Sequence, residues 1–313
     1  METFTKKDIE KQADIKALTD AIEKLLQSES LAGYNVPDRQ QYQYGNATHL
    51  IMPVFGPKYC GLKNISIHPE NEKSGLPVIQ GTMHLTDTAT GKPLAAFDGG
   101  AITGFRTGAV GALAIRHLAP QDASTLGIVG AGNIGYHLAL AADTERSFQQ
   151  IMLFDVNQEK REKTANELKA VSRCDNIVVA GSVEELTASS EVITTATSSS
   201  SPVLPEDKPV LFGKTIIAMG SYMPNMKELP IQLFENLKKC VIDTRAALSV
   251  SGDMIEPIIN NRFHIDDITE MSALLQQNDP QELGETRLFK SAGSAIFDLA
   301  VAEYLYKRKI RNT

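Results

Sequence analysis

Leu126-Gly127-Ile128-Val129-Gly130-Ala131-Gly132-Asn133-Ile134-Gly135 runs an apolar segment straight into three glycines at G-x-G-x-x-G spacing. The apolar segment reads as a buried strand and Ile134 to Ala142 as a helix. Ile151 to Phe154 reads as a second strand, ending at Asp155, 20 residues beyond Gly135. In such a turn the first glycine permits the tight bend, and the second lets the backbone approach a pyrophosphate. The third allows close helix–strand packing, while the helix N-terminus presents N–H groups and a positive dipole to the phosphates. Strand, glycines, helix and acid in this order predict a dinucleotide site at Gly130, Ala131, Gly132, Asn133 and Ile134. Asp155 stands where a carboxylate accepts the adenosine ribose hydroxyls, and Val156-Asn157 supplies no arginine for a 2′-phosphate. NAD(H) is therefore the preferred cofactor, with NADP(H) the alternative. A methyltransferase-type site wants an acid inside the strand–turn itself, and Leu126 to Val129 contains none.

Outward from this core the pattern keeps alternating. Ile177 to Val179, Glu191 to Thr195, Thr215 to Met219 and Val241 to Asp243 read as further short apolar strands separated by helices such as Lys160 to Ala170. That alternation implies a parallel sheet covered on both faces. Upstream the texture differs. Asp8 to Ser28 spaces apolar residues as an amphipathic helix or helix pair. His49 to Phe55, Gly61 to Ile67, Val78 to Leu85 and Pro93 to Asp98 then read as strands of a largely antiparallel sheet. Thr103 to Leu118 is a helix rich in glycine and alanine, and Phe289 to Leu305 a final helix returning to the first domain. The fold class expected is α/β, a Rossmann doubly wound parallel sheet plus a smaller α+β substrate and dimerisation domain. The expected domains are 1–119 with 289–313, and 120–288.

The 313 residues carry 31 Lys plus Arg against 38 Asp plus Glu, a net charge of −7 that argues against nucleic acid as a partner. Lys307-Arg308-Lys309 is the nearest thing to a basic run, and it suits the last turn of a helix. Three scattered cysteines fit a reducing compartment, and neither they nor the dispersed histidines show metal-site spacing, so no metal is expected. No signal-peptide core or membrane-length apolar run occurs, and a cytoplasmic protein without a membrane partner is expected.

Asp98-Gly99-Gly100-Ala101-Ile102-Thr103-Gly104-Phe105-Arg106-Thr107-Gly108-Ala109, followed by the Gly130-Ala131-Gly132 turn, resembles the ornithine cyclodeaminase/μ-crystallin family. Pro37-Asp38-Arg39, Gly61-Leu62-Lys63, Ser251-Gly252-Asp253 and Lys290-Ser291-Ala292-Gly293 extend the likeness from about residue 35 to the C-terminus. The resemblance implies a homodimer whose β-rich domain carries substrate and dimer contacts and whose Rossmann domain holds the nicotinamide cofactor. It extends the cofactor-binding set to Arg106, Thr107, Ala196, Thr197, Ser198, Met219, Gly220, Ser221, Ser291 and Gly293, beside Asp155, Val156 and Asn157. Its activities run through a C–N bond next to a carboxylate, so the partner is a small imino or amino acid.

Lys63 shares strand parity with Ile65 and Ile67, which puts it on the apolar face, where a lysine is costly unless paired with an anion or partly neutralised. The family likeness makes it the catalytic lysine, contacting substrate and helping proton transfer. Arg106 is read as a fork for the substrate carboxylate, and Arg39 as a second contact. The sequence departs from the cyclodeaminase pattern at Tyr222, where that pattern has an aspartate. A phenol is a poor general base at neutral pH but can donate a hydrogen bond or a proton; Tyr222 is equally readable as a packing residue. The expected activity is reduction of Δ1-pyrroline-2-carboxylate or Δ1-piperideine-2-carboxylate to L-proline or L-pipecolate. The alternatives are ornithine cyclodeaminase, an alanine or opine-type dehydrogenase, and a non-catalytic dinucleotide-dependent binding protein.

Overall fold

The alternating and continuous apolar runs settle into two sheets in the computed structural model, which describes residues 1–276 and 285–311. The chain divides into two units, Met1–Arg106 with Ser294–Thr313, and Thr107–Gly293. Residues 277–284 and 312–313 of the expected domain ranges lie outside the described residues.

The first unit contains β1 (Glu2–Phe4), α1 (Lys6–Gln12), α2 (Ile15–Gln27), β2 (Gln40–Tyr44), β3 (Ala47–Phe55), β4 (Tyr59–Ile67), β5 (Ile79–Asp87) and β6 (Pro93–Asp98), followed by the start of α3 (Gly99–Leu118). Its strands order as β1-β6-β5-β4-β3-β2, antiparallel except for the β1–β6 pair. Between β5 and β6, the Asp87 carboxylate accepts the Thr90 backbone N–H at 2.9 Å and closes the expected turn. Period-two alternation then sorts the sheet's faces. Leu50, Met52 and Val54 of β3 are buried with Ile65 of β4 and Met83 and Leu85 of β5, whereas Leu62 and Asn64 face away. Helix α3 starts at Gly99, four residues earlier than its apolar pattern suggests, because Asp98 accepts the Ala101 N–H at 2.8 Å and caps it.

The second unit runs β7 (Thr125–Val129), α4 (Asn133–Glu145), β8 (Gln150–Phe154), α5 (Gln158–Lys169), β9 (Ile177–Val179), α6 (Val183–Ser189), β10 (Val192–Thr195), α7 (Lys208–Leu211), β11 (Thr215–Ala218), β12 (Cys240–Ile242), α8 (Ala247–Val250), α9 (Gly252–Ile259), β13 (Ile268–Glu270), α10 (Met271–Gln276) and β14 (Arg287–Lys290). All neighbours pair parallel in the order β13-β12-β14-β11-β10-β7-β8-β9. Its central strands are buried on both faces, as their continuous apolar sequences require. The α/β class with a Rossmann-type parallel sheet and a smaller α+β unit is thus the observed one.

The C-terminal stretch corrects one expectation. Arg287 to Lys290 is a strand, and the helix α11 (Ala295–Arg311) begins only after Gly293, whose φ of 78° breaks the backbone direction. A four-residue buried strand beside a helix reads as one apolar run, so periodicity alone merged them. Helix α11 packs on α2 and on β3, β4 and β5 within the first unit. Among the described residues no helix is long and apolar enough to cross a membrane.

Candidate active site

In the first unit, strand alternation drives Lys63 into the interior as expected, and its side chain is 1% exposed. Its ammonium lies 2.7 Å from Oδ2 of Asp298, whose side chain is 0% exposed. The other carboxylate oxygen of Asp298 lies 3.3 Å from Nε of Arg106 on α3. One carboxylate from α11 therefore faces a cation from β4 and a cation from α3. Burial, opposed by Asp298 and reinforced by the nearby positive charges of Arg106 and Arg39, pulls the Lys63 ammonium down from 10.5 to about 8. Arg39, half-buried just before β2, is thus close enough for its charge to act on Lys63. The three cations expected from the sequence come together, with an acid that the sequence reading did not select. The signal for Asp298 was present: it is the lone acid in the run Ala295-Ile296-Phe297-Asp298-Leu299-Ala300-Val301.

In the second unit the glycine-rich turn separates by cause. Gly130 adopts φ 105°, and a Cβ there would stand 2.6 Å from the Ala196 carbonyl oxygen. At Gly135 a Cβ would collide with the Gly130 carbonyl, so close packing demands the third glycine. Among the described residues, nothing beyond its immediate chain neighbours comes within 4 Å of a Cβ at Gly132. The space left open there suits a ligand approaching the backbone, as a pyrophosphate does. Gly132 is also the N-cap of α4 and supplies no side-chain hydrogen bond, leaving the first-turn N–H groups at Asn133, Ile134 and Gly135 without a cap from that residue. Asp155 follows β8 and accepts the N–H of Ala131 at 2.8 Å and of Asn157 at 2.9 Å. Each oxygen keeps a further lone pair for a hydroxyl donor. Val156 beside it is 93% exposed, and Asn157 caps α5. These features fit a dinucleotide.

Apart from Arg106 and Thr107 on α3, the remaining expected cofactor residues lie on the loops that follow the strands. Ala196, Thr197 and Ser198 follow β10, while Met219, Gly220 and Ser221 follow β11; half-buried Tyr222 comes next. Ser221 is fully buried, donating to the Met226 carbonyl at 2.8 Å and pairing with Ser251 at 2.8 Å. The Ser291 hydroxyl and the Gly293 N–H both donate to Oδ2 of Asp243, at 2.6 and 2.9 Å. Thr107 is buried on α3, one residue after Arg106 and on the second unit's side of the division.

Fold and site together define a two-unit α/β protein with a dinucleotide-binding sheet and a buried lysine–aspartate–arginine centre. The chain belongs to the ornithine cyclodeaminase/mu-crystallin family, which it matches over residues 2–312. It is 34% identical to a Δ(1)-pyrroline-2-carboxylate reductase of Bacillus cereus over 88% of this chain and 86% of that protein. The solved structure of Thermococcus litoralis Δ(1)-pyrroline-2-carboxylate reductase in complex with NADH and L-proline is similar at 27% identity and a TM-score of 0.92, covering 100% of this chain and 98% of that one. The iminosuccinate reductase of Paracoccus denitrificans in complex with NAD+ is similar at 26% identity and a TM-score of 0.86, over 100% and 97% of the two chains.

Proposed function

We propose that this chain is an NADH-dependent oxidoreductase that reduces the C=N bond of a small cyclic imino acid. Its substrate is Δ1-pyrroline-2-carboxylate, or the six-membered Δ1-piperideine-2-carboxylate, and its product L-proline or L-pipecolate. The observation that carries the reading is the buried Lys63 ammonium, held by Asp298 among arginines in a chain 34% identical to a reductase of that imine. NADH, when bound, supplies the hydride.

This chain's own residues supply binding, orientation and the proton. Arg106 and Arg39 are cations suited to the substrate carboxylate, and Arg106 lies 3.3 Å from Asp298 through its Nε. An imine accepts hydride at carbon far more readily when its nitrogen is protonated. At about 8, the Lys63 ammonium is largely charged at neutral pH yet surrenders its proton more easily than an exposed lysine. Lys63 thereby holds the iminium proton. With Tyr222, on the loop after β11, where the cyclodeaminase pattern has an aspartate, reduction is favoured over loss of ammonia from ornithine. The substrate-holding role belongs to the first unit and the dinucleotide-holding role to the second, with Gly130, Gly132, the α4 N-terminus and Asp155 as its main elements.

The test is a panel of cyclic imines, keto acids with ammonia, and ornithine, assayed with NADH, NADPH and NAD+. Consumption of NADH with a cyclic imine supports the reading. Ammonia release from ornithine with no imine turnover overturns it.

A cytoplasmic homodimer belongs to the same proposal. The cysteines Cys60, Cys174 and Cys240 are all free, as suits a reducing compartment. The sheet face away from the first unit's core exposes Phe55 and Leu62 at 48% and 41%. Light scattering reads the mass, and cell fractionation the location.

A further inference from the structure

Glu228, Asp253 and Lys290 are buried together in the second unit, outside the residues assigned so far. The Lys290 ammonium lies 3.1 Å from Oδ2 of Asp253 and 4.0 Å from Oε2 of Glu228. Two carboxylates against one ammonium leave an excess of negative charge out of water, and burial pushes the Glu228 carboxyl above the usual range. For stability alone, well-packed apolar side chains would serve as well.

The contacts of Glu228 indicate what the cluster does instead. Its Oε1 accepts the Thr197 N–H at 2.6 Å and the Thr197 hydroxyl at 3.0 Å, while Oε2 accepts the Gly220 N–H at 2.7 Å. Thr197 follows β10 and Gly220 follows the adjacent β11, at the carboxyl ends of parallel strands, where an open α/β sheet receives its ligand. Asp253 fixes the carrier of this carboxylate in turn, since its Oδ1 accepts the N–H of Glu228 at 2.7 Å and of Leu229 at 3.0 Å. The two loops are drawn so close that a Cβ on Gly220 would collide with the Thr197 carbonyl and with Glu228 itself. The glycine is required by this approach.

We propose that Glu228 is a positioning residue for the dinucleotide: one carboxylate ties the loops 196–198 and 219–221 at a single spacing, with Lys290 beside it as counter-charge and Asp253 fixing the backbone that carries it. The proposal rests on the cofactor reading above. Both loops present N–H donors to it, so the bridge needs acceptors at both ends, and a carboxylate provides them. A Glu228→Gln side chain turns an N–H2 group toward one loop and loses that half of the bridge.

The test is the dissociation constant of NADH alone, read by equilibrium fluorescence on full-length protein, beside thermal melting with and without NADH. Glu228→Gln is expected to weaken NADH binding about tenfold or more while melting cooperatively without ligand. Glu228→Asp keeps the charge beside Lys290 but shortens the reach, and serves if the glutamine variant fails to fold; about tenfold weakening is expected there too. A role confined to stability would lower the melting temperature and leave the dissociation constant of folded protein unchanged, and that outcome overturns the proposal. Wild-type protein that binds neither NADH nor NADPH overturns the cofactor reading and this proposal together. Tight wild-type binding with unchanged affinity in a folded Glu228 variant overturns the clamp alone.

Discussion

The Lys63 ammonium and the Asp298 carboxylate lie 2.7 Å apart, both withdrawn from water. A pair in that setting is no stability device, because desolvating two charges costs about as much as their attraction returns. Its consequence is chemical: burial weakens the lysine's hold on its proton, and Asp298 opposes that loss, so the group stays largely protonated near neutral pH.

If the ammonium is the acting form, kcat/KM should fall as pH rises through about 8. Asp298→Asn removes the charge that raises Lys63 while burial and Arg106 remain, so the basic limb should move to lower pH, by about one unit. pH–rate profiles of the two proteins measure this, and an unmoved limb would refute the pairing's role.

The same group predicts a stability trend. In the folded state Lys63 binds its proton more weakly than an unfolded lysine, so between about 8 and 10.5 the unfolded chain carries more protons. Stability should therefore rise with pH across that window, by about 3 kcal/mol at most, and the penalty is fully felt below it. Urea midpoints of wild type should show the rise, and Lys63→Met should lack it.

The Arg106 guanidinium, 11% exposed, lies 3.3 Å from the Asp298 carboxylate through Nε. Arg106→Lys keeps charge but loses the fork, and should raise the KM for the imino acid on the order of a hundredfold. NADH affinity measured by fluorescence reports whether the loss is confined to the substrate.

Gly132 and Gly135 should part company on substitution. Gly132→Ala places a methyl in open space, so its melting temperature should stay near wild type while NADH binding weakens by about tenfold. Gly135→Ala drives a methyl into the Gly130 carbonyl and should destabilise the fold itself. Calorimetry beside NADH titration separates the two.

Asp155 offers a test of cofactor choice. Its carboxylate already ties the Ala131 and Asn157 N–H groups, and Asp155→Ser should weaken NADH and narrow its advantage over NADPH by about tenfold. Initial rates with both nucleotides read the ratio.

Much of this was legible locally. The strand–glycine–helix run at Leu126 to Gly135 identifies its own fold, because each requirement is met by residues adjacent in the chain. Lys63 declared its burial through parity with Ile65, since alternation is a local property of a strand. Strand β14 was not legible, because four buried residues beside a helix carry no period of their own.

Local sequence therefore settles the type of most elements, the faces of regularly alternating strands and the dinucleotide turn, but not a short buried strand such as β14. The partners come from segments separated in the chain: Asp298 for Lys63 and Arg106, and Glu228 for the loops at Thr197 and Gly220. The reason is physical. Backbone geometry dictates which way a side chain points within a few residues, but what a buried charge meets there depends on which distant segment hydrophobic packing brings against it.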